Sequence, residues 1–240
     1  MDVLPRQKWS CRFSCRSLLI AVTILAVLIA ATVTLIRQNR LAGQRIHCKN
    51  NLRAIGVALA NYYDVYKKFP CAVTYAEDGT PLHSWRTAIM PYITSEMQLR
   101  GYSYREPWNG PANRLLGTSE ASWFRCPSAP STQDAMCTNY VMLIDDRPGQ
   151  PNGPPNRPGS VPLRPNQNNS VIVIEIADSD IHWMEPRDVL LSELSMQIND
   201  RTRRSIASYH GGAYVVHADG SPEMLDESST EARIRLLLMK

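Results

Sequence analysis

The sequence has no strong charge of one sign, and this bears first on what it binds. Across 240 residues the formal net charge is +4, and the Lys and Arg residues are scattered. The one local cluster, Arg201, Arg203 and Arg204, sits beside Asp200 and reads as a solvated loop. A basic stripe of the kind that grips nucleic acid is missing, so no nucleic-acid partner is expected. There is no G-x-S-x-G elbow to carry a serine nucleophile and no glycine-rich loop to cradle phosphate. There is no C-x-x-C, and no Cys/His cluster has zinc-ligand spacing. No internal repeat is visible, which excludes a solenoid. Ser208, His210 and Asp219 include a nucleophile, a base and an acid, but without an elbow the bland reading prevails, and no catalytic residue is expected.

Charge is also missing from residues 17–36, SLLIAVTILAVLIAATVTLI, and here the absence is informative. Twenty helical residues rise ~30 Å, the thickness of a bilayer's hydrocarbon core. Thr23, Thr32 and Thr34 are the polar interruptions, and a helix hides such hydroxyls against its own carbonyls. A cleaved secretory signal is the competing reading, but its apolar region is usually shorter, and no good small-x-small site follows. The expected layout is a cytoplasmic tail over 1–16, a single transmembrane helix over 17–36, its continuation over 37–67, and an extracytoplasmic domain over 68–240. Arg6, Lys8, Arg12 and Arg16 before the span balance Arg37, Arg40, Arg45, Lys49 and Arg53 after it, so the positive-inside rule does not orient it. Cys48, Cys71, Cys126 and Cys137 follow the span, and an even number suits disulfides in an oxidising compartment, with three connectivities open. The expected location is therefore an inner membrane, with the C-terminal domain periplasmic.

Beyond the span the period stays helical. Cys48, Leu52, Ile55, Leu59, Tyr62 and Tyr66 recur at spacings of 4, 3, 4, 3 and 4, one apolar stripe. Gly56 weakens a helix by roughly 1 kcal/mol relative to Ala unless it serves close packing. Lys67 and Lys68 suit the C-terminal dipole, and Pro70 stops the helix. Residues 84–99 predict a helix capped by Ser84 and interrupted at Pro91, and 111–116 a turn of helix begun by Pro111. Strands are expected at 138–144, at 170–177 (SVIVIEIA, apolar enough for a central position), and in a hairpin over 213–225. Asp219-Gly220 suggests a type I′ turn there, and Pro222 an edge position for its second arm. Residues 147–165, with seven prolines, read as a loop. Ser228 and Glu231 form a capping-box pair before a last helix over 230–238.

Candidate chemistry is thin. His210, His217 and Asp219 crowd the hairpin, with Glu175 and Asp178 on or after the central strand. Asp178, Asp180 and Asp219 are the oxygen donors a calcium ion would choose. Turn and solvated-loop roles account for them better, so no metal and no cofactor are expected. Trp85, Trp108, Trp123 and Trp183 are expected mainly in the core, with one or two free to line a groove.

Several strings occur in order. The first is Cys48-Lys49-Asn50-Asn51-Leu52, continuing to Phe69-Pro70; the next are Ser84-Trp85-Arg86 and Pro91-Tyr92-Ile93. Pro107-Trp108-Asn109, Cys126-Pro127-Ser128 and Thr138-Asn139-Tyr140 follow, then Glu175, and Trp183 with Pro186 and Asp188. His210-Gly211-Gly212 leads to Ala218-Asp219-Gly220-Ser221. Over about residues 46–225 the chain resembles the planctomycete family called domain of unknown function 1559, whose members resemble type II secretion pseudopilins. The resemblance implies an α+β, pilin/pseudopilin-like fold: a long N-terminal helix packed on an antiparallel sheet with long loops. It implies a structural or interaction role at the envelope, in secretion or surface assembly, with the bilayer and pseudopilin-like or other envelope proteins as partners and no catalysis. Relatives also carry a solute-binding label, so an extracytoplasmic solute- or glycan-binding module is the alternative. Many members begin G-F-T-L-x-E. Here the stretch is Arg12-Phe13-Ser14-Cys15-Arg16-Ser17, with no glycine to cut after and no early glutamate, which implies a permanently anchored monomer or small oligomer. Motif position also suggests a Cys48–Cys126 bond beside a Cys71–Cys137 bond.

Overall fold

The computed structural model describes residues 14–93, 101–117, 122–146, 170–200 and 202–238. The proline-rich loop expected at 147–165 and the tail before residue 14 lie outside them. The chain divides after Gly43 into two units. Helix α1 (Cys15–Tyr66) contributes to both. In the first unit its apolar side chains are exposed, Leu19 and Val27 each by 66%. Among the described residues it is the one helix long and apolar enough to cross a membrane. Thr23, Thr32 and Thr34 donate their hydroxyls to the carbonyls of Ile20, Ile29 and Ala30 at 2.8, 2.9 and 2.8 Å. Each threonine thus removes its own polar cost from an apolar surface.

In the second unit the remaining turns of α1 bury Cys48, Leu52, Ile55, Gly56, Ala58 and Leu59. This is the predicted stripe, fading at half-buried Tyr62 and exposed Tyr66. The helix stops earlier than Pro70 requires. Lys67 turns left-handed (φ 55°) and its N–H closes on the Tyr63 carbonyl at 2.7 Å, a C-terminal cap. Lys67 is therefore the cap residue and lies outside the helix.

Strands β1 (Val73–Tyr75) and β2 (Pro81–Ser84) form a small hairpin leading into α2 (Trp85–Ile93). Ser84 caps α2 as expected, its Oγ accepting the Arg86 N–H at 3.3 Å. Pro91 is accommodated within α2, and the rest of the stretch expected to 99 lies outside the described residues. Helix α3 (Pro111–Gly117) begins on its proline. The main sheet comprises β3 (Tyr140–Ile144), β4 (Val171–Glu175), β5 (Val189–Leu190), β6 (Ala213–His217) and β7 (Pro222–Leu225). Helix α4 (Glu231–Leu238) closes the chain.

The sheet order is β5-β3-β4-β6-β7. The expected strands pair antiparallel, β4 is central, and Pro222 lies on the edge strand. The wholly antiparallel sheet is corrected at one edge, where β5 pairs parallel with β3. Two residues long, β5 carries almost no periodic signal. The hairpin turn is also corrected. Gly220 has φ 82°, but Asp219 is not left-handed, so the turn is not type I′. Instead the Asp219 carboxylate accepts the Ser221 N–H at 2.8 Å and its hydroxyl at 2.6 Å. Gly220 N–H bonds the His217 carbonyl at 2.9 Å, a type I turn followed by a left-handed glycine. At α4 the cap is Thr230, whose Oγ1 accepts the Arg233 N–H at 3.3 Å, while Ser228 is spent on Asp226.

Both sheet faces are covered, which is why the strands read as apolar runs. Tyr140, Met142, Ile172, Tyr214 and Val216 share a core with Leu52, Ile55, Ala58 and Leu59 of α1. Val141, Leu143, Ile174 and Val215 share another with Ile234 and Leu238 of α4. Gly56 explains how closely α1 sits. A Cβ there would lie 2.2 Å from the carbonyl oxygen of Gly220. The helix backbone touches the hairpin turn, and any side chain would separate them.

Candidate functional site

Four side chains from four segments meet between α1 and the sheet. They are Cys48 on α1, Cys126 in the loop before β3, Glu175 at the end of β4 and His210 before β6. All are buried, and their ligand atoms lie within 4.8 Å of one another. Local structure aims each one. Cys48 opens the buried stripe of α1. The Cys126 N–H is held by Asn139 Oδ1 at 2.9 Å, while Asn139 Nδ2 donates to the carbonyls of Ile176 and Ala177 at 3.0 and 2.7 Å. Glu175 Oε2 accepts the Tyr214 N–H at 3.0 Å. His210 Nδ1 meets Ser208 Oγ at 3.2 Å, and since that hydroxyl donates to the Gly212 carbonyl, the ring N–H sits on Nδ1. Gly211 and Gly212, at φ 69° and 85°, turn the chain there as few other residues could.

The inward atoms are poorly served. Glu175 Oε1, His210 Nε2 and the Tyr140 hydroxyl are buried with no nitrogen or oxygen partner, and their polar neighbours are thiols, Cys126 beside the first two and Cys48 beside the third. Oε1 and Nε2 are 3.7 Å apart. The Cys48 contact and burial push the Cys126 thiol up, and burial pushes Glu175 well above the usual carboxylate range. Burial pulls His210 down, yet Cys126 and Glu175 leave it above its ordinary value. Chemically, two thiols, a carboxyl and an imidazole in this arrangement can form a disulfide or hold a soft cation.

A second buried group fastens the fold nearby. The Arg86 guanidinium, fully buried, donates to Asp188 Oδ1 at 2.6 Å, to the Tyr140 carbonyl at 3.1 Å and to Ser84 Oγ at 2.9 Å. The same Oδ1 accepts Trp85 Nε1–H at 3.1 Å and Met142 N–H at 2.7 Å. Burial lifts the Asp188 carboxyl to about 6 against the pull of Arg86.

The remaining motif residues fall on packing and turns. Trp183 stacks on Phe124 with ring centroids 6.3 Å apart, and half-buried Trp108 lies 5.2 Å from the His182 ring. Asn51 Nδ2 donates to the carbonyls of Ser122 and Arg125 at 3.0 and 3.2 Å, while Asn50 and Asn109 are exposed. The calcium trio does not assemble. Asp219 sits in the hairpin turn, beside the start of β4, while Asp178 and Asp180 follow its end. Asp178 accepts the Tyr209 hydroxyl at 2.7 Å, and Asp180 faces Arg204 at 3.2 Å. Ser208 and His210 come together, but the hydroxyl is buried, and Asp219 follows the far end of β6 while they precede its start.

Cys48, Cys71, Cys126 and Cys137 are all free thiols. Cys48 and Cys126 are neighbours, as the resemblance implies. Cys71 is not placed with Cys137: it lies near Tyr62, while Cys137 lies near Asp134 and Asp180. The grouping of Cys48, Cys126, Glu175 and His210 is invisible to spacing rules, since intervals of 78, 49 and 35 residues separate them. One signal could have found it: a lone acid ends an otherwise apolar strand, and all four residues lie in the motif strings.

Comparison with family profiles matches residues 37–190 to a family described as a protein of unknown function, DUF1559. The match takes in Cys48, Cys126 and Glu175 and stops before His210. Searches of curated proteins and of solved structures return no match.

Proposed function

From membership of the DUF1559 family, to which this chain belongs, we propose a membrane-anchored, pseudopilin-like envelope protein that works by interaction and not by catalysis. The anchor is residues 17–36, and the domain after it lies on the extracytoplasmic side of an inner membrane, in the service of secretion or surface assembly. The observation that carries the reading is the exposed, charge-free face of α1 in the first unit. An uninterrupted apolar surface of that length is stable only in lipid or against other apolar helices.

The domain surface supports interaction over small-molecule capture. Among the described residues, clefts of about 240 and 510 Å³ are lined mainly by polar and charged groups such as Asp200, Arg203 and Glu231, and an open one of about 310 Å³ mixes Pro130 and Cys137 with Asp134, Asp178 and Asp180; no tryptophan lines any of the three. A solute or glycan site would want an enclosed apolar pocket with a few convergent polar groups. The buried Ser208 hydroxyl, already bonded to the Gly212 carbonyl, is closed to a substrate.

In vivo cross-linking in native membranes, followed by pull-down, tests the proposal. The expected result is specific adducts with other envelope proteins. A domain that yields no adduct but binds an oligosaccharide or small solute stoichiometrically would replace it with the binding-module reading. Ester, peptide or glycoside hydrolysis lost in His210→Ala would replace it with an enzyme.

A further inference from the structure

Four potential ligands buried against one another need a reason to be together, and two observations narrow it. Glu175 Oε1 and His210 Nε2 are buried 3.7 Å apart, too far for a hydrogen bond to each other, with the Cys126 thiol beside both in place of a nitrogen or oxygen partner. The far atom of each side chain is already tied, Oε2 by the Tyr214 N–H and Nδ1 by Ser208. Backing bonds of this kind orient ligand atoms toward an ion and fix the imidazole tautomer. A Cys48–Cys126 disulfide would use two of the four groups and leave the orphaned oxygen and nitrogen unpaired. A cation bonded to all four leaves none unpaired.

We propose that Cys48 Sγ, Cys126 Sγ, Glu175 Oε1 and His210 Nε2 bind one zinc ion in a four-coordinate site. Ligands about 2.0–2.3 Å from a tetrahedral centre lie about 3.3–3.8 Å from one another. The set, now within 4.8 Å, therefore closes by about 1 Å at its widest pair. The donors select the metal: thiolate and imidazole suit zinc, whereas calcium and magnesium take oxygen. On binding, the two thiols and the carboxyl release their protons to solvent, leaving the site with a net charge of −1. Arg45, one turn before Cys48, lies close enough for its cation to be felt at His210 and offsets that charge. The Tyr140 hydroxyl, beside Cys48, gains a thiolate to donate to. All four positions are filled by buried protein atoms, so the ion is structural: it fastens α1 to the end of β4 and to the loops carrying Cys126 and His210.

The test uses full-length protein without a polyhistidine tag, purified in detergent with its thiols kept reduced. Elemental analysis is expected to find one zinc per chain, released by titration with an organomercurial. Cobalt(II) in its place should give the intense visible bands of a tetrahedral ion and a near-ultraviolet thiolate-to-cobalt band. Ser208→Ala should weaken zinc by about 10–100-fold by freeing the imidazole, and His210→Gln by more. Since loss of a ligand can unfold the domain, the cobalt spectrum of the unaltered protein is decisive beside the variants. Reduced, folded protein that takes up less than about a tenth of an equivalent of zinc, or a cobalt adduct lacking the thiolate band, overturns the proposal. So does zinc-free protein from native membranes with a Cys48–Cys126 disulfide. These outcomes do not depend on the membrane role.

Discussion

Replacing Gly56 by alanine sets two effects of opposite sign against each other. Alanine in mid-helix is favoured over glycine by roughly 1 kcal/mol, so propensity alone predicts a more stable protein. Packing predicts the reverse. The new Cβ would lie 2.2 Å from the Gly220 carbonyl oxygen and 2.9 Å from its carbon, about 1 Å inside ordinary contact. Neither side can yield by rotating a side chain, because both are backbone. Relief requires α1 to lift from the hairpin, loosening Leu52, Ile55 and Leu59, which are buried to within 1%. Overpacking of this kind costs about 1–3 kcal/mol, and partial loss of the helix contacts adds to it. The net expectation is a loss of about 2 kcal/mol, a fall of about 4–8 °C in Tm for a domain of this size. Thermal and urea unfolding of the detergent-solubilised protein, followed by near-ultraviolet circular dichroism, measures it. Gly43→Ala, where nothing lies within 4 Å of the added carbon, is the control and should not lower the midpoint. If Gly56→Ala matches the parent or exceeds it, the close approach of α1 to the hairpin is refuted.

Arg86→Met, which strands the buried Asp188 carboxyl, should cost about 3–5 kcal/mol in urea unfolding, and the double variant Arg86→Met/Asp188→Leu should recover much of that. Asn139→Ala removes bonds to Cys126, Ile176 and Ala177 and should cost about 2–4 kcal/mol in the same assay; a cost below ~1 kcal/mol would contradict the assigned network. Burial alone would raise Glu223, but His217 and Arg233, at 2.8 and 2.7 Å, hold it below the usual range. Its contribution is present above the unfolded pKa and is lost as pH falls through the depressed folded value, so Glu223→Gln should flatten the acid limb of a stability–pH profile. Val27→Arg, at the middle of the exposed apolar face, should release the chain from carbonate-washed membranes or block its insertion, and unchanged retention would contradict the assigned span.

Much of the fold was legible because burial on two faces leaves a strong periodic mark. The α1 stripe from Cys48 to Leu59, the central strand at 171–175 and the edge position of Pro222 follow from patterning and proline chemistry alone. What was not legible depended on tertiary context. β5 is too short to carry a period, and the Asp219 turn was decided by a side-chain bond to Ser221 that competes with type I′ geometry. The last helix took Thr230 as its cap because Asp226 had already claimed Ser228. The site was the least legible part. Its four members are brought together by β4, α1 and two loops, so no spacing rule could group them; of the two cysteine pairs that motif position implied, Cys48 and Cys126 are neighbours and Cys71 and Cys137 are not placed together. Arg86 and Asp188 were visible as motif residues, but their pairing appears only once β3 and α2 are in contact with the loop before β5.

The role at the membrane stands or falls on where the domain sits. Spheroplasts prepared from cells expressing the full chain, treated with protease before and after lysis, answer this when the fragments are probed for the C-terminal region. Residues 44–240 are expected to be digested or clipped in intact spheroplasts while a membrane-retained fragment carrying 17–36 survives. Complete protection until lysis would place the domain in the cytoplasm, and recovery of the uncleaved chain in the soluble fraction would remove the anchor.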